Sequence, residues 1–141
     1  MTVQVADNVV KMMGNLAIAL SFFMQPSMTV GLISDTHGLL RPQAIHALKG
    51  VDHLLHIGDI GKQELINKLK EIAPLSLIRG NVDKGSWASS LPDTEVVQLG
   101  EVYAYLLHDL QTLDLDPVAA GFDIVLSGHS HKPDMYQKEG V

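Results

Sequence analysis

Aspartate, asparagine and histidine recur in five short polar loops of this sequence. Asp35 and His37 stand two residues apart, so in extended backbone their side chains share a face and can hold one ion together. The other candidates follow in four later loops: Asp59, Asn81, His108, and the pair His129 and His131. The sequence has no cysteine, which excludes thiolate ligands. Oxygen and imidazole ligands together favour Mn, Fe, Zn, Ni or Co.

Each of these five loops follows an apolar segment that is predicted to be a β-strand. Short apolar runs bounded by turn residues are typical of buried strands. This pattern predicts strands at 28–34, 52–57, 75–79, 95–99, 101–107 and 122–127. Helices are predicted at 42–50, where Pro42 suits a first helical position, at 62–72, and in a short form at 117–120.

The alternation of the first three strands with helices predicts parallel βαβ units. Segments 95–99 and 101–107 meet at Gly100 with no room for a helix, which predicts an antiparallel pair. The fold class is therefore α/β with some antiparallel pairing. Ligands of open α/β sheets bind at the carboxyl ends of the strands. Five loops with metal-binding residue types at that edge therefore predict a metal site.

Length and charge narrow the class of protein. The chain has 141 residues, which suits one domain with one core. Its formal net charge of −6 argues against nonspecific nucleic-acid binding, which usually needs a basic surface. The apolar stretch at 16–24 is shorter than the roughly 20 residues that span a bilayer. We therefore expect a cytoplasmic protein without a nucleic-acid or membrane partner.

Taken together, the loops resemble the calcineurin-like metallophosphoesterases, specifically their small bacterial and archaeal phosphodiesterase branch. The matching stretches are GLISDTHG at 31–38, HIGD at 56–59, RGNVD at 79–83, His108, and GHSHKP at 128–133. The resemblance covers residues 28 to about 133. It implies a four-layer α-β-β-α sandwich in which two facing sheets are flanked by helices, with a metallophosphoesterase domain at 28–141.

The resemblance also implies a site with two divalent metal ions, of which Mn is the expected kind. Carried over by position, one ion is held by Asp35, His37 and His131, and the other by Asn81, His108 and His129, while Asp59 bridges both. Asp59, Asn81 and His108 are the expected catalytic residues. The implied reaction is attack of a metal-activated hydroxide on phosphorus in a small phosphate ester. A diester is favoured over a monoester, and homo-oligomer formation is left open.

Two departures from the family pattern bear on activity. Many members of the superfamily have a histidine directly after the motif asparagine, where it can protonate the leaving group, and this chain has Val82. Family members usually continue past the Gly-His-Ser-His region through further strands. This sequence ends at Val141, so we expect the domain to be short of C-terminal strands.

Residues 1–27 do not share the pattern of the rest. Three interpretations are open: an amphipathic helical extension, a weak signal sequence, or upstream sequence that is not native to the domain. The third is favoured because a buried-strand pattern begins on Met28 and runs directly into Asp35. A start at Met28 would make that strand the first element of the domain.

Other polar residues have simpler interpretations. His46 is expected at the surface, and His56 is expected to be packed and to orient Asp59. Arg79 is interpreted as a solvated charge rather than a phosphate ligand, and Trp87 either lines a cleft or caps the core. For the whole chain, the alternatives to an enzyme are a noncatalytic scaffold with this fold and a truncated, inactive homologue.

Overall fold

Two β-sheets organise the chain in the computed structural model, which describes residues 2–6, 9–13, 28–138 and 140–141. The five-stranded sheet contains β1 Thr2–Ala6, β2 Val9–Met13, β3 Thr29–Ile33, β4 His53–Ile57 and β5 Leu75–Ile78, in that order. The three-stranded sheet contains β6 Thr94–Leu99, β7 Val102–Leu107 and β8 Ile124–Leu126, again in chain order. The helices are α1 Pro42–Ala47, α2 Gln63–Lys70 and a single 3-10 turn, Leu110–Thr112.

Both sheets are mixed. Strands β3, β4 and β5 are parallel, as the βαβ pattern predicts, whereas β1, β2 and β3 pair antiparallel. In the smaller sheet β6 pairs antiparallel with β7, and β7 pairs parallel with β8. The turn at Gly100, which has a φ of 66°, joins β6 directly to β7. The predicted combination of parallel and antiparallel pairing is therefore confirmed.

The two helices form one layer on the five-stranded sheet. In α2 the buried positions are Leu65, Ile66 and Leu69, three and four residues apart, so one face of the helix packs on the sheet. Helix α1 starts at Pro42 and reaches only Ala47, where the prediction had extended it to 50. Both helices pack over a core cluster that includes Ile33, Leu48, Val51, Leu54 and Ile60.

A second cluster fills the space between the two sheets. Leu55, Ile57 and Ile78 come from the larger sheet and meet Val97, Ala104, Leu106 and Leu126 of the smaller one. The α/β sandwich of two facing sheets is thus confirmed. Its helical layer covers the larger sheet. On the outer face of the smaller sheet Phe122 stacks on Tyr105, and the part of the chain with described coordinates has no α-helix there.

Some local predictions were wrong. Segment 117–120 is a turn and not a helix, closed by hydrogen bonds from the Ala120 N–H to the Asp116 carbonyl and from the Phe122 N–H to the Pro117 carbonyl. Asp116 also accepts from the N–H groups of Val118 and Ala119, as a helix N-cap does, but the chain leaves the helical path after one turn at Gly121, which has a φ of 78°. The last strand is shorter than predicted, three residues at 124–126.

The N-terminal strands β1 and β2 are paired with each other, and β2 is paired with β3. Segments 2–6 and 9–13 are therefore strands and not the helix that one interpretation of this region required. The apolar stretch 16–24 lies outside the described residues. Within the ranges that the structure describes, no helix is long and apolar enough to cross a bilayer.

Candidate metal centre

Strand register brings the five polar loops to one edge of the sandwich. Ile33 pairs with His56 across β3 and β4, and Ile57 pairs with Ile78 across β4 and β5. The loops continue this alignment, because the Asp35 N–H donates to the Gly58 carbonyl (3.1 Å) and the His37 N–H donates to the Asp59 carbonyl (2.9 Å). Asp35 and Asp59 therefore lie side by side where their strands end.

The smaller sheet supplies the other two loops at the same edge. Leu106 pairs with Leu126, and two residues further on the Gly128 N–H donates to the His108 carbonyl at 3.0 Å. His108 thereby reaches across to the larger sheet, where its Nδ1 lies 2.7 Å from the Ile57 carbonyl oxygen. This contact joins the two sheets directly at the site.

The first predicted ligand group, Asp35, His37 and His131, is brought together. Possible ligand atoms of the three residues all lie within 4.8 Å of one another. Nε2 of His131 is 3.4 Å from Oδ1 of Asp35 and 3.4 Å from Nε2 of His37. The two imidazole rings stack, with centroids 5.2 Å apart. The Asp35 carboxylate is buried and both rings are about half exposed, so this group opens to solvent.

The second predicted group, Asn81, His108 and His129, is also brought together. Oδ1 of Asn81 lies 3.1 Å from Nε2 of His108 and 3.1 Å from Nδ1 of His129. The two rings meet edge to face at 5.2 Å. One amide oxygen is thus flanked by two imidazole nitrogens, which is a mixed N/O donor set of the kind that first-row divalent metals accept.

Asp59 lies between the two groups and is 2% exposed. Its Oδ1 is 3.4 Å from Nε2 of His108, and its Oδ2 is 4.0 Å from Nε2 of His37. The two carboxylate oxygens therefore face different ligand groups. Asp35, Asp59 and His108 also have ligand atoms within 4.8 Å of one another, so the two groups are adjacent. This is the placement that a bridging carboxylate requires.

Two details of the site fit a bound cation. The Ile57 carbonyl can only accept a hydrogen bond, so Nδ1 of neutral His108 carries the proton and Nε2 presents a lone pair to the Asn81 oxygen. Two lone pairs that face each other are stabilised when both coordinate a cation. Oδ1 of Asp35 is buried and accepts no hydrogen bond from the described residues, which leaves it free for the same purpose.

The backbone of the site adopts a conformation that is rare for side-chain-bearing residues. The non-glycine residues with positive φ, among those that the structure describes, are Asp35, His37, Asp59, His129 and His131, with φ between 47° and 67°. Such conformations cost about 1–3 kcal/mol each and concentrate at functional sites. Five of the seven predicted ligands are therefore in left-handed backbone, which aims their side chains at a common point.

Two glycines let the loops approach this closely. A Cβ atom on Gly80 would lie 2.1 Å from Oδ1 of Asp59. A Cβ atom on Gly128 would lie 2.0 Å from Oγ of Ser34 and 2.9 Å from Oδ2 of Asp35. Larger residues at these positions would displace the carboxylates, so the glycines of the RGNVD and GHSHKP stretches are steric requirements of the site.

Asp83 is a further residue of the site that the sequence interpretation did not single out. Its carboxylate is buried and accepts three backbone hydrogen bonds, from Ile60 at 3.1 Å, Gly61 at 2.7 Å and Gly80 at 2.8 Å. It thereby fixes the loop that carries Asp59 against the loop that carries Asn81. Its position in the RGNVD stretch was the signal that could have found it.

His56 has a supporting role and is not a ligand candidate. His56 is fully buried and its Nε2 contacts Oγ1 of Thr36 at 2.9 Å, so it supports the loop between Asp35 and His37 and does not hydrogen-bond to Asp59. Burial lowers the pKa of His56 to about 4, so it is neutral near neutral pH.

Arg79, His46 and Trp87 lie outside the two ligand groups. Arg79 forms a two-point ion pair with Asp93, with Nη2 to Oδ2 at 2.9 Å, and the hydrogen bond raises the pKa of Arg79. Arg79 is therefore paired with Asp93. His46 is exposed on α1 as expected.

Trp87 packs against the core under the helices, which favours the capping interpretation over the cleft.

Sequence comparison finds one matching protein family and similar archaeal proteins. Residues 28–141 match the calcineurin-like phosphoesterase superfamily domain. The chain is 30% identical over 125 residues to a probable metallophosphoesterase of Methanocaldococcus jannaschii, covering 79% of this chain and 63% of that relative. It is 29% identical over 126 residues to a probable metallophosphoesterase of Methanothermobacter thermautotrophicus, covering 81% of this chain and 73% of that relative. The chain thus spans less than two thirds of the M. jannaschii protein's length.

Among solved structures, the fold is similar to that of vacuolar protein sorting 29 from Cryptosporidium parvum. The TM-score is 0.66 with 26% sequence identity, and the match covers 79% of this chain and 69% of the other. This similarity agrees with the α/β sandwich described above.

Proposed function

The chain belongs to the calcineurin-like phosphoesterase superfamily, and we propose that it hydrolyses phosphate esters, diesters in preference to monoesters, at a centre that holds two divalent metal ions. The observation that carries this proposal is the position of Asp59, whose two oxygens face two separate ligand groups. Asp35, His37 and His131 would hold one ion, and Asn81, His108 and His129 the other. Mn²⁺ is the proposed metal.

Divalent ions at these positions would supply a nucleophilic hydroxide at neutral pH and positive charge for the phosphate oxygens. The protein's own contribution is positioning. The Asp59 carboxylate is held by the Val82 N–H, which donates to Oδ1 at 3.0 Å. The Ile57 carbonyl fixes the tautomer of His108, and the Asp35 carboxylate accepts from the His129 N–H at 3.1 Å. These contacts preorganise the ligands before a substrate binds.

The preference for diesters follows from the resemblance to the small phosphodiesterase branch, and position 82 adds a preference for good leaving groups. Val82 has a side chain that cannot donate a proton, and it lies beside Asn81 at the surface of the site. A positioned acid contributes about 10²–10⁴-fold when the leaving group is a poor one. Without an acid at Val82, the departing alcohol would take its proton from solvent. Substrates with good leaving groups, including aryl diesters, should therefore be hydrolysed fastest.

The test is hydrolysis by the full chain with and without Mn²⁺. Bis(p-nitrophenyl) phosphate, p-nitrophenyl phosphate and a simple alkyl monoester form the panel, and we expect activity in that order. Asp59→Asn keeps the size of the side chain and removes its charge, so kcat/KM should fall at least about a hundredfold. Asp114→Asn, at an exposed aspartate outside the site, is the matched control. Full activity of Asp59→Asn would refute the assigned site.

A noncatalytic scaffold is the second candidate. It is favoured by the similarity of the fold to vacuolar protein sorting 29 and by exposed apolar residues Val96 and Tyr103 on the smaller sheet. A scaffold of this kind would bind metal without turnover. Elemental analysis of the purified protein, combined with the same ester panel, separates the two: metal with no hydrolysis of any ester supports the scaffold.

A further inference from the structure

A cleft of about 360 Å³ opens beside the first ligand group. Its lining includes Asp35, His37 and His131 of that group, and also Leu39, Leu40 and Arg41. None of the second group, Asn81, His108 and His129, lines it. The cleft therefore adjoins the first ligand group and not the second.

Residues 39–44 of the cleft lining combine an apolar surface with one cation. Leu39 is 57% exposed, and Leu40 and Ala44 continue the apolar surface toward α1. Arg41 is exposed and takes part in no salt bridge with the residues for which coordinates are described. In contrast, Arg79 is committed to Asp93.

The guanidinium matters because Arg41 is the one lysine or arginine among the residues that line the cleft. A guanidinium binds carboxylate and phosphate groups through two parallel hydrogen bonds. Small-molecule sites usually have volumes of about 300–1,000 Å³. The cleft is at the lower end of that range, so it suits one small organic group and not a polymer.

We propose that this cleft binds one ester group of the substrate. That group is apolar and carries a second anion, a carboxylate or a phosphate, which Arg41 binds. The inference rests on the proposed function for its orientation: the phosphorus lies at the metal ligands, the apolar part contacts Leu39, and the second anion reaches Arg41. The substrate class is thus a small phosphate ester with two anionic groups separated by an apolar spacer.

Non-hydrolysable probes test the cleft without relying on turnover. Phenylphosphonate, 4-phosphonobenzoate and 1,4-benzenediphosphonate share a ring and a phosphonate, and differ in the group at the far end. Calorimetric titration of each into the Mn²⁺-loaded full chain gives three dissociation constants. We expect at least one of the two probes with a second anionic group to bind about tenfold or more tightly than phenylphosphonate. The tighter of those two identifies the second anion as carboxylate or phosphate.

Two variants assign this preference to residues. The ratio compares the dissociation constant of phenylphosphonate with that of the preferred probe with two anionic groups. Arg41→Gln should reduce this ratio to about twofold or less. Lys49→Gln removes an exposed cation outside the cleft and should leave the ratio unchanged. Leu39→Ala should weaken all three probes by a similar factor, because each loses the same contact with the ring.

The possible results separate this inference from the proposed function. A ratio near one in the wild type, or a ratio that Arg41→Gln does not change, overturns the assignment of the cleft even if the protein hydrolyses diesters. A ratio that depends on Arg41 in a protein that hydrolyses no ester supports the cleft and refutes only the proposed turnover.

Discussion

His37 and His131 are separated by 94 positions in the chain, and their Nε2 atoms lie 3.4 Å apart. His37 follows β3 of the larger sheet, whereas His131 follows β8 of the smaller sheet. The contact therefore exists only when both sheets are formed and face each other. Binding of a metal between these rings would be coupled to the folding of the whole sandwich, because the unfolded chain does not hold the two side chains together.

Replacement of His131 should weaken metal binding at the first group. His131→Asn removes an imidazole ligand, and we expect the affinity for Mn²⁺ to fall at least about tenfold, as even indirect supports of metal ligands have effects of that size. Calorimetric titration of Mn²⁺ into the metal-free chain measures it. His46→Asn changes an exposed histidine on α1 and should have no effect; equal affinities for the two variants would contradict the assignment.

Asp83 should be important for stability as well as for the site. Asp83→Asn keeps one acceptor oxygen for the Ile60 and Gly80 N–H groups but turns an NH2 group toward the Gly61 N–H, so two donors lack an acceptor. At about 1–3 kcal/mol for each unsatisfied group, we expect a loss of roughly 2–5 kcal/mol in the free energy of unfolding. Urea denaturation measures it, and Asp114→Asn should change it by less than about 0.5 kcal/mol. A loss as small as that of the control would show that the three bonds are dispensable.

The stability of the metal-free protein should fall in mild acid because of His56. Burial lowers the pKa of His56 to about 4, with smaller opposing effects from Asp83 and Asp35. Between the unfolded value of about 6.5 and 4, the unfolded chain takes up a proton that the folded protein does not, so the unfolding free energy decreases as the pH falls through this window. The full effect is about 3 kcal/mol.

The matched variant for this prediction is His56→Gln, which cannot take up that proton. Urea denaturation of both proteins at a series of pH values should give a flatter pH dependence for the variant between pH 6.5 and 4. Parallel curves would mean that other groups cause the acid sensitivity.

Gly128→Ala should disturb the site through contact alone. The added Cβ would lie 2.0 Å from Oγ of Ser34 and 2.9 Å from Oδ2 of Asp35, so the loop that carries His129 and His131 must shift. We expect Mn²⁺ affinity to fall at least about tenfold. In the double variant with Ser34→Ala the nearest of these contacts is removed, and part of the affinity should return. Wild-type affinity of Gly128→Ala would show that the loop tolerates the methyl group.

Much of the fold could be predicted from the sequence because its strands are bounded by clear signals. Segment 52–57 carries Leu54, Leu55 and Ile57 and is followed directly by a glycine, and α2 has a regular spacing of buried residues. The short helix expected after Pro117 failed because the segment forms only one turn, with Asp116 as its N-cap, and ends at Gly121, which has a φ of 78°. A segment of four residues is too short for the spacing of apolar residues to show whether a turn continues as a helix.

The candidate ligands could be predicted because each directly follows a strand, and parallel strand ends meet at one edge. Their support could not be predicted in the same way. Asp83 contacts Ile60 and Gly61, which are 23 and 22 residues away, and His56 contacts Thr36 across 20 residues. These partners are set by how the loops fold over one another, which leaves no periodic trace in the sequence. The ligand roles of the seven residues stay predictions until metal binding is measured.

Five predicted ligands have left-handed backbone: Asp35, His37, Asp59, His129 and His131. At these positions a change that increases stability would weaken metal binding. Glycine adopts this conformation without steric cost, so substitution to glycine at any of the five would relieve strain while it removes a metal-binding group. A library of variants sorted only for thermal resistance in the presence of a chelator should therefore lose these residues early. Sorting with Mn²⁺ in excess should retain them, because the bound ion would then contribute more to the folded state than the strain removes.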